Sequence, residues 1–137
     1  MPSIEVLVDS DAFVGRFYTK DAHHERAKRG FSTLEKRGSA IATTSLVISE
    51  VATVLSHRSG QELARKYLDV MERSKLPVIH IDENLQGAAL ELFKKETARG
   101  TSVTDCANVV VVKRFEIPAL FSFDKFYTKR FGLKAVV

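Results

Sequence analysis

With 137 residues, 45% hydrophobic and 28% charged, the chain has the size and composition of a single globular domain with a substantial buried core. Its net charge of +4 permits a polyanionic partner, while a lone Cys106 excludes an internal disulfide and suits a reducing compartment. Four dispersed histidines make no zinc-ligand spacing, no GxxxxGK[ST] or GxGxxG fingerprint occurs, and no apolar run approaches the ~20 residues of a membrane span.

The elements follow in chain order. The start, MPSIEVLVD, lacks the basic and apolar regions of a signal peptide, so a cytoplasmic location is expected. It runs directly into a short apolar strand, Ile4–Val8, and then a short helix near Ala12–Phe17. His23–Arg37 has Ala27, Phe31 and Leu34 at helical spacing, and Gly38 is a natural stop. Ala40–Thr43 predicts a second strand, Leu46–Ser56 a helix, and Gln61–Arg73 an amphipathic helix through Leu63, Tyr67, Leu68 and Met71. Val78–Ile81 is a third strand, and Asp82 an N-cap for a helix running to about Arg99, closed by Gly100. Ser102–Arg114 is expected as a helix, although Val109–Val112 favours strand by propensity. Ala119–Phe123 is a fourth strand, Lys125–Phe131 a short helix and Leu133–Val136 a terminal strand. Alternation without a linker predicts one α/β domain over residues 1–137, with a mainly parallel central sheet of about five strands flanked by helices.

Asp9 closes the first of these strands and Asp124 the fourth. In open parallel sheets, that strand edge is where ligands bind. Glu50 and Asp105 lie in the apolar helical segments SLVISEVATVL and VTDCANVVVV, where an unpaired carboxylate is costly. Converging acids repel, so such a quartet makes sense mainly around a hard divalent cation, Mg²⁺ or Mn²⁺, acting on phosphate esters. Each acid also has a plainer reading. Asp9 can cap the following helix, although Asp11 can do so instead. Glu50, sharing a face with Leu46 and Val54, can pair with a Lys or Arg. Asp105 in a first helical turn can compensate the helix dipole, worth about 0.3–1 kcal/mol, although Ser102 is better placed as the cap. Asp124 can start the last helix. Lys125, Lys129 and Arg130 flank Asp124 and are candidates to meet phosphates. His23, His24, Lys28, Arg29, Lys36 and Arg37 read as solvated surface, and Cys106 as a small core residue.

In order and spacing, VDSDAF, TSLVISEVATVL, SVTDCANVVVVKRFEIPAL and FSFDKFYTKRFGL resemble the PIN-domain family, and within it the stand-alone VapC-like toxins. The resemblance covers essentially the whole chain. It implies a PIN-like fold and a metal-dependent endoribonuclease in which Asp9, Glu50, Asp105 and Asp124 form the acidic metal-binding and catalytic quartet with Mg²⁺ or Mn²⁺. Asp11 stands where Asn or Ser is frequent, and Thr104 where a small hydroxyl residue often neighbours the third acid, so both are auxiliary candidates. The resemblance further implies an RNA substrate met by Lys125, Lys129 and Arg130, a homodimer, and a cognate antitoxin that occludes the site.

Two rival classes fit parts of the pattern. A phosphoacceptor signalling domain also has an acidic Mg²⁺ pocket, but it wants adjacent acids after the first strand and a Lys ending a late strand. Here Asp9 has no adjacent acid, and the fourth strand ends in Asp124. A non-catalytic RNA-binding or interaction module needs the acids only as helix caps, and metal-dependent RNA cleavage separates it from the enzyme.

Overall fold

The computed structural model describes residues 3–136; Met1, Pro2 and Val137, and what was read from them, lie outside it. Four parallel strands, β1 (Val6–Val8), β2 (Ile41–Thr44), β3 (Val78–Ile79) and β4 (Ala119–Phe121), form one sheet in the order β3-β2-β1-β4. The helices are α1 (Ser10–Phe17), α2 (His24–Arg37), α3 (Ser45–Arg58), α4 (Gln61–Arg73), α5 (Glu83–Lys95), α6 (Val103–Arg114) and α7 (Phe126–Phe131). None of them is long and apolar enough to cross a membrane.

The central strands β1 and β4 are buried on both faces, and their alternation divides the core. Val6 and Val8 of β1 and Phe121 of β4 join Phe13, Leu34, Val47, Val51, Leu55 and Tyr67 on one side. Leu7 and Leu120 point the other way, into a second core with Leu85, Val109, Val111, Val112 and Tyr127. Pairing of Val6 with Ala119, Leu7 with Leu120 and Val8 with Phe121 keeps the two faces in step. The chain steps outward from β1 to β2 to β3, then returns to place β4 on the other side of β1. The gap beyond the C-terminal ends of β1 and β4 is therefore the topological switch point, where doubly wound sheets hold ligands.

Three local devices fix the elements that matter most. Thr44 Oγ1 accepts from the Val47 amide at 3.2 Å and starts α3. Ser102 and Asp105 form a reciprocal capping box that starts α6, with both bonds at 2.9 Å. Gly38, at φ 65°, ends α2 with its own amide and that of Ser39 bonded back into the last turn. The run Val109–Val112 is helical despite its strand propensity. Val109, Val111 and Val112 are nearly inaccessible, and burial of each is worth about 1.5–3 kcal/mol, whereas the helix penalty of a β-branched residue stays below about 0.7 kcal/mol.

The expected fifth strand is reduced to a single bridge. Leu120 pairs with Ala135, donating to the Lys134 carbonyl and accepting from the Val136 amide, both at 2.9 Å. Because β4 is itself only three residues long, it offers little edge for a fifth strand to extend. The helix after Asp82 stops at Lys95, short of Arg99, because Glu96 is already extended.

Candidate active site at the switch point

Asp9 follows β1 without an intervening residue and caps α1, its Oδ1 accepting from the Ser10 amide at 2.7 Å. Capping therefore falls to Asp9 rather than Asp11, because the strand runs straight into the helix. The cap does not satisfy the carboxylate. Asn108 Nδ2 donates to the same oxygen at 2.9 Å, while Ser122 Oγ and the Tyr127 hydroxyl reach Oδ2 at 2.9 and 3.1 Å. Asp9 is only 3% exposed. Burial, reinforced by the Asp11 charge, pushes its carboxyl up to about 8.

Asp11 and Asp105 meet Asp9 through the same two hydroxyls. Ser122 Oγ also reaches Asp11 Oδ2 at 3.2 Å, and the Phe123 amide donates to that oxygen at 2.9 Å. Tyr127 also reaches Asp105 Oδ1 at 3.2 Å, while Asn108 Nδ2 donates to the Tyr127 oxygen at 3.0 Å. Burial, and then the Asp124 charge, lift Asp11 to about 6 and raise Asp105 as well. Asp124 is exposed, its side chain turned to the Phe126 amide at 2.9 Å. The structure thus brings Asp9, Asp11, Asp105 and Asp124 together, making Asp11 more central than an auxiliary position suggests.

This network is short of hydrogens. A hydroxyl carries one proton, yet Ser122 faces both Asp9 and Asp11 and Tyr127 faces both Asp9 and Asp105. Each can serve only one carboxylate at a time. In addition, Asp11 Oδ1 is buried with no partner at all, as is Asn108 Oδ1. Buried acceptors in excess of donors are costly, and the surplus is negative charge on hard oxygen. Protons or a hard cation relieve it. Among the described residues no three His, Cys, Asp or Glu side chains already close on a common point as a metal cage, because hydroxyls stand between the acids. In donor chemistry and charge the set fits a divalent cation.

Glu50 lies apart from that network. It is half-buried on α3, faces a cleft of about 240 Å³ that it shares with Asp11, Asp21 and Arg58, and no hydrogen bond joins it to the other acids. No ion pair engages it among the described residues, and Arg58 in the same cleft is held by Asp21 at 2.6 Å. Thr104 is buried in the first turn of α6 and likewise shares no hydrogen bond with the acids.

A second cleft of about 380 Å³ joins Asp105 and Asp124 to Arg99, Lys125, Lys129 and Arg130. Arg130 is partly committed, since its Nε donates to the buried Glu96 carboxylate at 3.0 Å. The histidines are not simply solvated surface. His23 stacks on Phe123 at 4.4 Å and 15°, and His24 Nδ1 lies 2.7 Å from the Gly15 carbonyl. Asn108, Ser122 and Tyr127 complete the site without having been picked out as candidates. Asn108 could have been found as the one amide in an apolar helix; Ser122 and Tyr127 look ordinary until β4 and α7 bring them to Asp9.

A parallel doubly wound sheet with an acidic, cation-rimmed site at its switch point defines a small α/β domain built around a carboxylate centre. The chain belongs to the PIN domain family, whose model matches residues 6–130. Two solved structures show the same fold. VapC20 of Mycobacterium tuberculosis, described as a sarcin–ricin loop cleaving toxin, is 22% identical with a TM-score of 0.81, the match covering 93% of this chain and 95% of that one. VapBC2 of Rickettsia felis, solved bound to a DNA fragment from its promoter, is 18% identical with a TM-score of 0.68, covering 96% and 97%. No curated protein matches.

Proposed function

We propose that the chain is a metal-dependent endoribonuclease acting as the toxin of a toxin–antitoxin pair. The observation that carries the reading is the hydrogen-poor group of carboxylates at the switch point, opening onto a cleft rimmed by cations. Membership of the PIN family supports nuclease chemistry, and the similarity in fold to VapC20 supports RNA as the substrate.

Asp9, Asp11 and Asp105 would hold Mg²⁺ or Mn²⁺, with Asp124 at the rim and Glu50 approaching from the Asp11 side. A bound divalent ion supplies a water of lowered pKa and neutralises charge on the scissile phosphate. Ser122, Tyr127 and Asn108 hold the carboxylates of Asp9, Asp11 and Asp105 in place by the bonds already described. Lys125 and Lys129 draw the RNA backbone into the acid-lined cleft, with Arg130 contributing what its pairing with Glu96 leaves free. The site offers no evident side-chain nucleophile, so water attacks. A homodimer and an antitoxin that covers the site belong to the same reading, supported by the resemblance to VapC-like toxins and by the VapBC2 complex. Sedimentation at micromolar concentration, alone and with the product of a neighbouring small gene, tests both.

The decisive test is cleavage of cellular RNA in Mn²⁺ or Mg²⁺. Asp105→Asn should cut activity by at least about a hundredfold, the scale for losing one preorganised electrostatic group, and EDTA should abolish activity in the parent. Full cleavage by the parent in EDTA, or by both Asp9→Asn and Asp105→Asn with metal, rejects the metal assignment.

A further inference from the structure

Helix α2 carries a second cluster of cations outside the cleft at Asp124. Arg26, Arg29 and Arg37 share one side of the helix and, with Gly30, Thr33 and Val136, line a groove of about 210 Å³. Among the described residues no acidic side chain lines this groove. Among the described residues none of the three arginines enters an ion pair, whereas Lys28 on the same helix is paired with Glu25. Each guanidinium offers a planar fork of donors suited to phosphate oxygens. Thr33 adds a hydroxyl.

The groove also has a direction. The Arg26 guanidinium sits 4.8 Å from the centre of the Phe123 ring, and Phe123 is the chain neighbour of Asp124 at the acid site. From Arg26 to Arg37 the helix rises by about 16 Å, which is room for several phosphates. Gly30, at the floor, has no side chain because a Cβ there would come within 2.4 Å of the Phe121 ring. That contact locks α2, and with it the row of arginines, against β4.

We infer that the Arg26–Arg29–Arg37 groove on α2 binds the phosphate backbone of the RNA strand where it leaves the acid site. The inference rests on the nuclease reading for the identity of the strand, and it gives that reading a path, from the cleft of Lys125 and Lys129 at Asp124, past Phe123 and Arg26, into the α2 groove. Arg26 is tied to Phe123, so the test uses Arg29 and Arg37, which are farther from the acids.

An Arg29→Gln/Arg37→Gln protein is compared with the parent and with Arg65→Gln/Lys75→Gln, which removes the same charge from the α4 side. Binding of a fluorescent single-stranded RNA of about 20 nucleotides, longer than a typical single-strand site, is measured in EDTA as a function of salt. All three proteins should melt alike. The groove variant should bind about tenfold more weakly, and its salt dependence should be shallower by about 1.4, two contacts at ~0.7 each. The α4 variant should stay near the parent. With Mn²⁺ the groove variant should cleave a tetranucleotide at the parental rate while its KM for the long RNA rises. Equal weakening in both variants, or unchanged RNA affinity in the groove variant, overturns the assignment. So does loss of poly-glutamate binding with RNA affinity intact, which would give the groove to an acidic protein segment instead. Because binding is read without metal, absence of cleavage in the parent would reject the nuclease reading alone and leave the groove result interpretable.

Discussion

Tyr127 shows how much of this site depends on single atoms. Its hydroxyl accepts from Asn108 Nδ2 and stands between Asp9 and Asp105, at 3.1 and 3.2 Å. Burial, and then the charges of Asp9 and Asp105, raise its own pKa well above the ordinary value, so it remains a phenol and a donor at any working pH. Tyr127→Phe keeps the ring that packs against Phe126 but leaves an Asn108 N–H buried without an acceptor. An unsatisfied buried donor costs about 1–3 kcal/mol, so the variant should lose that much stability in urea unfolding, with an unchanged m-value. An undiminished midpoint would mean that the hydroxyl is not integral to the network. At this scale the sequence was informative about charge and silent about partners. Asp9, Asp105 and Asp124 stood out because each lies at the end or in the middle of an apolar run. Ser122 sits between two phenylalanines just past β4 and Tyr127 in a helix, both over a hundred residues from Asp9, so nothing local marks them. Asp11 was ambiguous for a similar reason: two acids one residue apart at a helix start compete for the cap, and only the return of β4 shows that Phe123 and Ser122 bind the second.

At the scale of elements, α2 and β4 depend on a glycine that local propensity would replace. Ala is favoured over Gly inside a helix by about 1 kcal/mol, yet a Cβ on Gly30 would meet three atoms of the Phe121 ring at 2.4, 2.9 and 3.1 Å. Phe121 is itself fixed in the core against Phe31, at 4.8 Å between ring centres. Gly30→Ala should therefore destabilise the domain by about 1–3 kcal/mol, the usual cost of overpacking, and a thermal melt showing a gain instead would mean that α2 shifts freely. The same packing explains which elements were legible. Helix positions with caps or terminal glycines, such as Gly38, Asp82 and Ser102, announced themselves because their signals are local. The helical state of Val109–Val112 and the near-loss of the last strand were not local matters. The first is set by burial between the sheet and its neighbouring helices, the second by the shortness of β4.

At the scale of the whole molecule, gathering acids at the switch point writes a pH dependence into stability. Asp9 and Asp11 rise from an ordinary value of 3.8 to about 8 and about 6. Between the unfolded and folded values the folded protein holds more protons than the unfolded chain, so stability falls as pH rises. The cost is absent below about pH 4, grows through pH 6 as Asp11 ionises, and is complete above about pH 8 when Asp9 has done so. The metal-free protein should accordingly melt higher at pH 5 than at pH 8. Asp9→Asn should flatten that dependence and raise the melting temperature at pH 8. The amide oxygen can keep the cap on Ser10 and the bond from Asn108, while its NH₂ can donate to the hydroxyls of Ser122 and Tyr127, and Asn caps helices about as well as Asp. A divalent ion relieves the same charge in the folded state, so Mn²⁺ at ten times its dissociation constant should add about 1.4 kcal/mol, a shift of roughly a few degrees. Protons compete with the ion for the carboxylates, which makes the shift larger at pH 8 than at pH 5. Asp9→Asn should lose most of it. Capping alone predicts a different pattern, with the substitution nearly neutral at every pH and no response to Mn²⁺ in either protein. Melts of both proteins at the two pH values, with EDTA and with Mn²⁺ at matched ionic strength, separate a charge-strained metal site from a set of helix caps.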